Sequence, residues 1–334
     1  MPPRQLLFYY IYWILGFSSS ISLTKIVNLL AMGTKEFEAS ISPSPAFSST
    51  RNERWWSKDT VAVVTGANKG IGYAFVKRLA ELGLTVILTC RDVLRGQNAV
   101  DSLRVQGLDV QFFRLDVSDP ASINAFVSWL REEIGGLDIL VNNAGVSFNE
   151  IGENSVEHAE IVIRTNYCGT KMLTVALLPL FRRSSSLSRI LNISSQLGEL
   201  NKVRNPTIRD ELQDEERLSE EQIDSVVGWF LESVKNGTWK EEGWPSLWTD
   251  YSVSKLALNA YSKLLAKRYK DYGLSINCFC PGFTRTAMTR GKGAHTADEA
   301  AEIGTTLILL PPHKLSTGKF YGGVNNSLLN YSKL

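Results

Sequence analysis

Tyr251 and Lys255 form the spacing in this chain with the clearest chemical consequence. The segment Tyr-Ser-Val-Ser-Lys places them four residues apart, so on a helix they lie on one face, one turn from each other. A neighbouring ammonium favours the phenolate and lowers a phenol pKa that is ordinarily about 10. The pair therefore predicts proton exchange with an alkoxide or a carbonyl oxygen near neutral pH.

A glycine-rich segment upstream supplies a partner for this chemistry. Residues 61–72 read VAVVTGANKGIG, an apolar run followed by Gly66, Gly70 and Gly72. Such glycines let the backbone turn tightly and approach a pyrophosphate at a helix N-terminus. Because turns need glycine in any case, the glycines indicate nucleotide binding only through their position after a first strand. With Tyr251 and Lys255 it predicts hydride transfer to or from a carbonyl.

Short apolar runs alternate with helical periods from residue 60 onward, which indicates βαβ units. We predict an α/β fold, a single Rossmann-like domain with a doubly wound parallel sheet. The strands are expected at 61–65, 85–90, 110–115, 137–141, 188–193 and 274–280. The helices are expected at 70–82, 93–106, 120–134, 154–181 and 250–272. Ligands of such sheets bind at the carboxyl ends of the strands, where the turns at 65–66, 142–145 and 281–282 are placed.

Two segments depart from this rhythm. We predict the domain over 58–334 with a mainly helical insertion at 197–248, before the Tyr251 helix. The acidic stretch 209–224 is interpreted as a solvated face above a packed apolar stripe. Three tryptophans then lead into the Tyr251 helix and either line a substrate pocket or anchor the insertion. They are Trp239, Trp244 and Trp248.

Residues 1–57 are predicted to be a leader or linker, either disordered or used for targeting. The uncharged apolar run 6–17 is short for a membrane span and suits a signal-peptide core or an interfacial segment. Residues 18–50 resemble a transit peptide or a linker, and Met32 is an alternative start. We predict a cytoplasmic protein, with plastid or membrane association open through residues 1–50. Membrane contact requires that the leader is retained.

Composition excludes several classes of function. A net charge of +2 without a basic, aromatic-interleaved cluster argues against nucleic acid as a partner. The histidines at 158, 295 and 313 are far apart, so no metal site is expected. The cysteines lie in apolar contexts and are expected to be buried and reduced. They are Cys90, Cys168, Cys278 and Cys280.

Arg91 decides the expected cofactor. It ends the second strand, where an acid would bind the ribose hydroxyls of NAD and an arginine suits a 2′-phosphate. Lys69 in the glycine loop adds positive charge, whereas Asp92 could pair with Arg91. We therefore predict NADPH, the alternative being that Arg91 is an ordinary surface cation.

The remaining candidates follow the later strands or lie within a helix. Asp116 ends the third strand, where its carboxylate or backbone could meet the adenine. The small residues at 142–145 leave room for the cofactor. Asn166 could hold a water that connects Lys255 to solvent, or it could simply kink its helix. Ser195 would donate to the substrate oxygen, with a strand-end cap as the alternative and Ser194 as its rival.

These motifs, in this order, resemble the short-chain dehydrogenase/reductase family over residues 58–325. Residues 65–72 look like its TGxxxGxG motif, and residues 142–145 look like NNAG. The catalytic members implied by the resemblance are Asn166, Ser195, Tyr251 and Lys255. The stretch at 281–286 resembles the one that holds the nicotinamide carboxamide. The implied cofactor-binding residues are Gly66, Asn68, Lys69, Gly70, Ile71, Gly72, Arg91, Asp116, Val117, Asn143, Tyr251, Lys255 and Thr286.

The 56 positions between Ser195 and Tyr251 resemble the carbonyl reductase-like branch, and residues 54–56 and 254–261 its plant members of the salutaridine reductase and neomenthol dehydrogenase type. That resemblance implies a monomer that uses NADPH to reduce a ketone or aldehyde, a small lipophilic carbonyl such as a terpenoid or alkaloid. The alternatives are an NAD-dependent alcohol dehydrogenase of the same fold and a non-catalytic NADPH-binding protein. The leader and residues 321–326 match no family feature.

Overall fold

One sheet forms the centre of the computed structural model, which describes residues 54–182, 188–322 and 329–331. The order within the sheet is β3-β2-β1-β4-β5-β6-β7-β8. Every neighbouring pair is parallel except β7 with β8, which is antiparallel. The strands are β1 (Val61–Val64), β2 (Thr85–Cys90), β3 (Val110–Arg114), β4 (Ile139–Asn142), β5 (Ser188–Ile193), β6 (Leu274–Cys280), β7 (Phe320–Gly322) and β8 (Leu329–Tyr331).

Helices connect the parallel strands and cover both faces of the sheet, which confirms the predicted doubly wound α/β fold. Two of them continue into a wider π-helical turn, at Leu130–Ile134 and at Arg164–Gly169. The helices are α1 (Gly70–Glu81), α2 (Val93–Val105), α3 (Pro120–Trp129), α4 (Val156–Ile163), α5 (Thr170–Leu177), α6 (Pro206–Gln213), α7 (Glu220–Asn236), α8 (Thr249–Arg268) and α9 (Ala297–Ile308).

Burial explains why the inner strands read as continuous apolar runs. All four residues of β1 and all seven of β6 are buried, because helices pack on both faces of a parallel sheet. Alternate residues then enter two separate cores, as Val61 and Val63 do on one face and Ala62 and Val64 on the other.

The chain changes direction in the sheet at β1. It runs outward from β1 through β2 to β3, then returns to place β4 on the other side of β1. The loops that follow β1 and β4 therefore leave the sheet side by side at their carboxyl ends. In doubly wound sheets this switch point is where a nucleotide binds.

The insertion contributes α6 and α7, and α7 packs against α4 and α8. The Tyr167 hydroxyl donates to Asp224 Oδ1 at 2.7 Å, and Lys171 Nζ lies 2.7 Å from Asp224 Oδ2. Glu220 reaches Arg268 on α8 at 2.5 Å. The acidic stretch is thus more than the expected solvated face, since several of its carboxylates pair with cations of the domain.

The insertion's tryptophans separate into two roles. Trp239 and Trp244 are buried in the core, and Trp244 packs edge-on against Phe230, so these two anchor the insertion. Trp248 instead lies against Tyr251, with ring centroids 6.4 Å apart.

At the start of the described chain, Trp55 donates its indole N–H to Leu309 O at 3.1 Å. The predicted leader lies outside the described residues up to position 53. In the part of the chain that is described, no helix has the length and apolar character needed to cross a membrane. The cysteines are free, as expected, although Cys168 is only partly buried.

Candidate active site

Helix α8 presents Tyr251 and Lys255 on one face, as the spacing predicted. Lys255 is 4% exposed, and its ammonium donates to Ile193 O at 2.7 Å. This hydrogen bond fixes α8 to the carboxyl end of β5. The Lys255 nitrogen lies 5.5 Å from the centre of the Tyr251 ring, while Tyr251 itself remains partly accessible.

Ser195 follows β5 and completes the group. Its side chain is hydrogen-bonded to Tyr251, and its Oγ accepts from the backbone N–H of Leu197 at 3.1 Å. The rival Ser194 is 2% exposed and donates to Asn259 Oδ1 at 2.5 Å. Ser194 is therefore committed to the core, and Ser195 is the serine that faces Tyr251.

The electrostatics of the pair differ from the expectation based on spacing. Burial raises the pKa of Tyr251 above its ordinary range, and only the hydrogen bond with Ser195 acts in the opposite direction. Burial also lowers the pKa of Lys255 to about 8. The predicted lowering of the Tyr251 pKa is thus wrong for the free chain, because desolvation raises this pKa and the hydrogen bond with Ser195 does not offset the rise.

Asn166 lies in the π-helical turn between α4 and α5 and is fully buried. Its Oδ1 accepts from Val146 N at 2.8 Å, while its Nδ2 donates to Val146 O at 2.9 Å and to Ser254 Oγ at 3.0 Å. All the amide hydrogens are therefore used in joining the loop after β4 to α8. A water held by this side chain could therefore only donate to Oδ1, which has a second lone pair.

The glycine loop follows β1 and depends on missing side chains. Gly66 has φ +61°, and a Cβ there would lie 2.7 Å from Ala144 Cα. Gly72 leaves space for Asn143, whose Nδ2 donates to Thr65 O at 2.9 Å and to Gly66 O at 3.1 Å. Asn143 thus shapes the loop by bracing it against the end of β4.

Helix α1 begins at Gly70, so the N–H groups of its first turn, including those of Ile71 and Gly72, open toward the loop. The helix end also carries partial positive charge. With the tight glycine approach, this arrangement fits the pyrophosphate of a dinucleotide. Gly70 lies beneath the loop that follows β6, and a Cβ on it would be 3.5 Å from Thr286 Cγ2. Thr286 is therefore placed above the glycine loop, as its predicted role requires.

Positive side chains surround a groove beside this loop. Asn68, Lys69, Tyr73 and Arg95 line it, and Arg91 is exposed at the end of the adjacent β2. Sequence reasoning missed Arg95, although a cation four residues after Arg91, in the first turn of a predicted helix, was a readable signal.

Asp92 caps α2 by accepting from Arg95 N at 2.9 Å, and its carboxylate lies 3.5 Å from Arg95 Nε. The anticipated pairing of Asp92 with Arg91 is thus replaced by pairing with Arg95. Arg91 stays exposed after the end of β2.

Asp116 and Val117 follow β3 on the same edge. Burial alone would raise the pKa of Asp116, but hydrogen bonds from Ser118 and the charge of Arg91 bring it below its ordinary value. The carboxylate accepts from Ser118 Oγ at 2.6 Å and is already engaged. A Cβ on Gly169 would lie 2.4 Å from Val117 O, so this glycine lets the π-helical turn approach the loop.

A contact between two loops was also missed. Asn149, in the loop after β4, donates from Nδ2 to Met288 O at 2.6 Å in the loop after β6. Asn149 has φ +56°, a conformation that asparagine tolerates better than most residues.

Among the described residues, no group of three or more His, Cys, Asp or Glu could hold a metal ion.

Comparison with known proteins agrees with this geometry. The family model described as short chain dehydrogenase matches residues 60–207 and 241–297. The chain belongs to the short-chain dehydrogenase family. The gap between the matched ranges falls in the insertion that carries α7. Members of this family are oxidoreductases that act on CH–OH groups with NAD or NADP.

Individual relatives cover most of the chain. (+)-Neomenthol dehydrogenase of Arabidopsis thaliana is 38% identical and covers 78% of this chain and 95% of its own length. Human carbonyl reductase [NADPH] 1 is 38% identical and covers 75% of this chain and 91% of its own length. The solved structure of salutaridine reductase from Papaver somniferum is 38% identical, covers 78% of this chain and 99% of its own, and has a TM-score of 0.73. The carbonyl reductase-like resemblance is thereby confirmed.

Proposed function

We propose that this short-chain dehydrogenase uses NADPH to reduce a ketone or aldehyde to the alcohol. The observation that carries the proposal is the group formed by Ser195, Tyr251 and Lys255. A hydroxyl bonded to a protonated phenol, with an ammonium beneath it, is suited to receive a carbonyl oxygen and protonate it. The bound cofactor would supply the hydride that adds to the carbonyl carbon.

Tyr251 delivers the proton in this scheme. Its raised pKa keeps the phenol protonated near neutral pH, which is the state that an acid for carbonyl reduction needs. Ser195 holds the substrate oxygen by hydrogen bonding from the same side. General acid catalysis of this kind typically contributes about 10² to 10⁴ in rate.

Lys255 binds the ribose and places a positive charge beside Tyr251. An ammonium has three N–H donors, and one of them is used on Ile193 O. With a pKa of about 8, Lys255 is mostly charged at neutral pH and favours the phenolate left after proton transfer. Asn166 is proposed to hold the relay water, while its side chain fixes Val146.

The preference for NADPH rests on the basic groove. Lys69 and Arg95 line the groove beside the glycine loop, Arg91 follows the adjacent β2, and arginine suits a 2′-phosphate by its forked donors. The similarity to carbonyl reductase [NADPH] 1 supports the same cofactor.

The relatives also support the substrate class and the oligomeric state. Their names indicate terpenoid and alkaloid carbonyl compounds, so a small lipophilic carbonyl is the proposed substrate. Because α7 packs against α4 and α8, we propose a monomer. Sedimentation of a stable dimer would contradict that assignment.

The mechanism is tested by Tyr251→Phe, which removes only the hydroxyl. Turnover of carbonyl substrates should fall by at least about 10²-fold, while the dissociation constant of NADPH measured by calorimetry stays the same. Tyr261→Phe is the matched control on the same helix, because the Tyr261 hydroxyl is buried without a hydrogen-bond partner among the described residues. Full activity in Tyr251→Phe would refute the assignment.

The cofactor preference is tested by Arg91→Ala. The affinity for NADPH should fall while that for NADH is nearly unchanged, since only NADPH carries the 2′-phosphate. The measurement is the ratio of the two dissociation constants. An unchanged ratio, or a wild-type preference for NADH, would contradict the proposed role.

A further inference from the structure

Trp248 has the most unusual backbone near the site. It is the residue just before α8, with φ +46° and ψ +58°. This left-handed conformation is a genuine outlier for a bulky side chain. Strain of this kind persists where the surroundings impose it, and it is concentrated at functional sites.

Hydrogen bonds on both sides impose this conformation. Ser252 Oγ donates to Leu247 O at 2.6 Å, and Ser252 N donates to Trp248 O at 2.8 Å. The next residues, Thr249 and Asp250, are buried. The indole therefore projects from a turn that is fixed immediately ahead of the catalytic helix.

The indole lies against the catalytic phenol. Its ring meets that of Tyr251 at 82° with the centroids 6.4 Å apart. Its Nε1 is buried and has no hydrogen-bond partner among the described residues. A buried indole N–H usually finds a partner, as Trp55 does with Leu309 O, so the missing acceptor points to a ligand.

A comparison with Trp244 shows why Trp248 is singled out. Trp244 Nε1 also lacks a partner among the described residues, but its ring packs against Trp229 and Phe230 within the insertion. Within the part of the chain that the structure describes, only Trp248 combines an unpartnered indole N–H with contact to Tyr251. In the same turn, Asp250 is 1% exposed and its Oδ2 is likewise unpartnered.

We propose that Trp248 is a specificity-determining residue whose indole N–H donates to a second oxygen of the substrate, away from the reacting carbonyl. This inference rests on the proposed carbonyl reductase function. The favoured substrates are carbonyl compounds that carry a hydroxyl or a second carbonyl. A hydroxyl would suit the turn best, because it can accept from the indole and also donate to a carboxylate such as Asp250.

The test compares cyclohexanones with a hydroxyl at position 2, 3 or 4 with the corresponding methyl compounds. The wild-type kcat/KM should favour the hydroxyl compound at one position at least. In Trp248→Phe, which keeps an aromatic ring against Tyr251, that preference should fall about 10-fold, as expected for loss of one neutral hydrogen bond. Trp229→Phe, on the insertion surface, is the matched control and should keep the preference.

Each outcome decides the matter. Equal slowing of hydroxyl and methyl compounds in Trp248→Phe assigns the residue a packing role and overturns the proposal. A wild-type enzyme without preference at any position overturns it as well. Failure to turn over every ketone in the panel would instead count against the proposed function, and that result is distinguishable because NADPH oxidation would be absent from the wild type too.

Discussion

Replacing Lys255 by methionine tests the electrostatics of the site without any substrate. Burial lowers the pKa of Lys255 from an ordinary 10.5 to about 8. The folded protein therefore binds this proton less tightly than the unfolded chain does, which penalises the charged lysine. The penalty applies in full below about pH 8 and disappears as the pH rises toward 10.5. Methionine, which has a similar length and no charge, carries no such penalty at any pH.

The size of the effect follows from the shift. A change of this magnitude corresponds to about 3 kcal/mol over the whole window. Between about pH 7.5 and 9.5, roughly 2 kcal/mol of this penalty should disappear. The free energy of unfolding of the wild type should thus rise by that amount relative to Lys255→Met, measured by urea denaturation of the cofactor-free protein at three pH values. Loss of the hydrogen bond to Ile193 O adds an offset that is independent of pH.

Lys267→Met provides the matched control, since Lys267 is on the same helix and its side chain is 51% exposed. Its difference from the wild type should not grow over this range. If the wild-type and Lys255→Met stabilities change in parallel with pH, Lys255 is not a desolvated ammonium in the free chain. Desolvation would then also fail to account for the raised pKa of Tyr251.

Two further substitutions test the supports of the site. Burial raises the pKa of Asp250, so the ionised carboxylate destabilises the folded state increasingly as the pH rises through that pKa. Asp250→Asn should therefore have a higher Tm than the wild type at pH 8, and this gain should disappear toward pH 4. A difference in Tm that stays constant with pH would contradict this. In Gly66→Ala the new Cβ would be strained by the φ of +61° and would lie 2.7 Å from Ala144 Cα. NADPH binding measured by calorimetry should therefore weaken at least about 10-fold. An unchanged affinity would refute the close approach of the glycine loop to Ala144.

The sequence predicted the inner strands well because burial on both faces leaves an uninterrupted apolar run. β2 and β6 begin and end at the predicted residues. β7 has only three residues, too few to form a pattern. Helix α9 was missed although Thr296 and Glu299 form a capping box at its start, a signal that the sequence does contain.

The π-helical turn at Arg164–Gly169 could not have been predicted from periodicity. One additional residue in a helical turn barely disturbs the apolar pattern across 154–181, which predicts a single helix. Its cause is tertiary, because Gly169 closely approaches Val117 O. That approach depends on where the loop after β3 lies, and π-helical turns occur frequently at functional sites.

Residue types and spacing singled out Ser195, Tyr251 and Lys255, which the structure brings together, but they could not predict the protonation of these residues. Spacing places Lys255 near Tyr251 and says nothing about how much water either group retains. The fold removes much of the water around both groups, so the pKa of the phenol rises and that of the ammonium falls. The contacts of the Asn166 amide could not be predicted for a similar reason, since only the fold brings Val146 within reach of its side chain.

The insertion connects these features, because it touches the catalytic helix along its outer face and at its first turn. On the outer face, Glu220 holds Arg268 of α8. At the first turn, the chain leaving the insertion is forced into the left-handed conformation of Trp248 and passes directly to Tyr251. A change in the packing of α7 would therefore reach Tyr251 through the turn at Trp248, without altering the glycine loop. The segment that covers α4 and α8 is for this reason also the one expected to govern which carbonyl compound the site accepts.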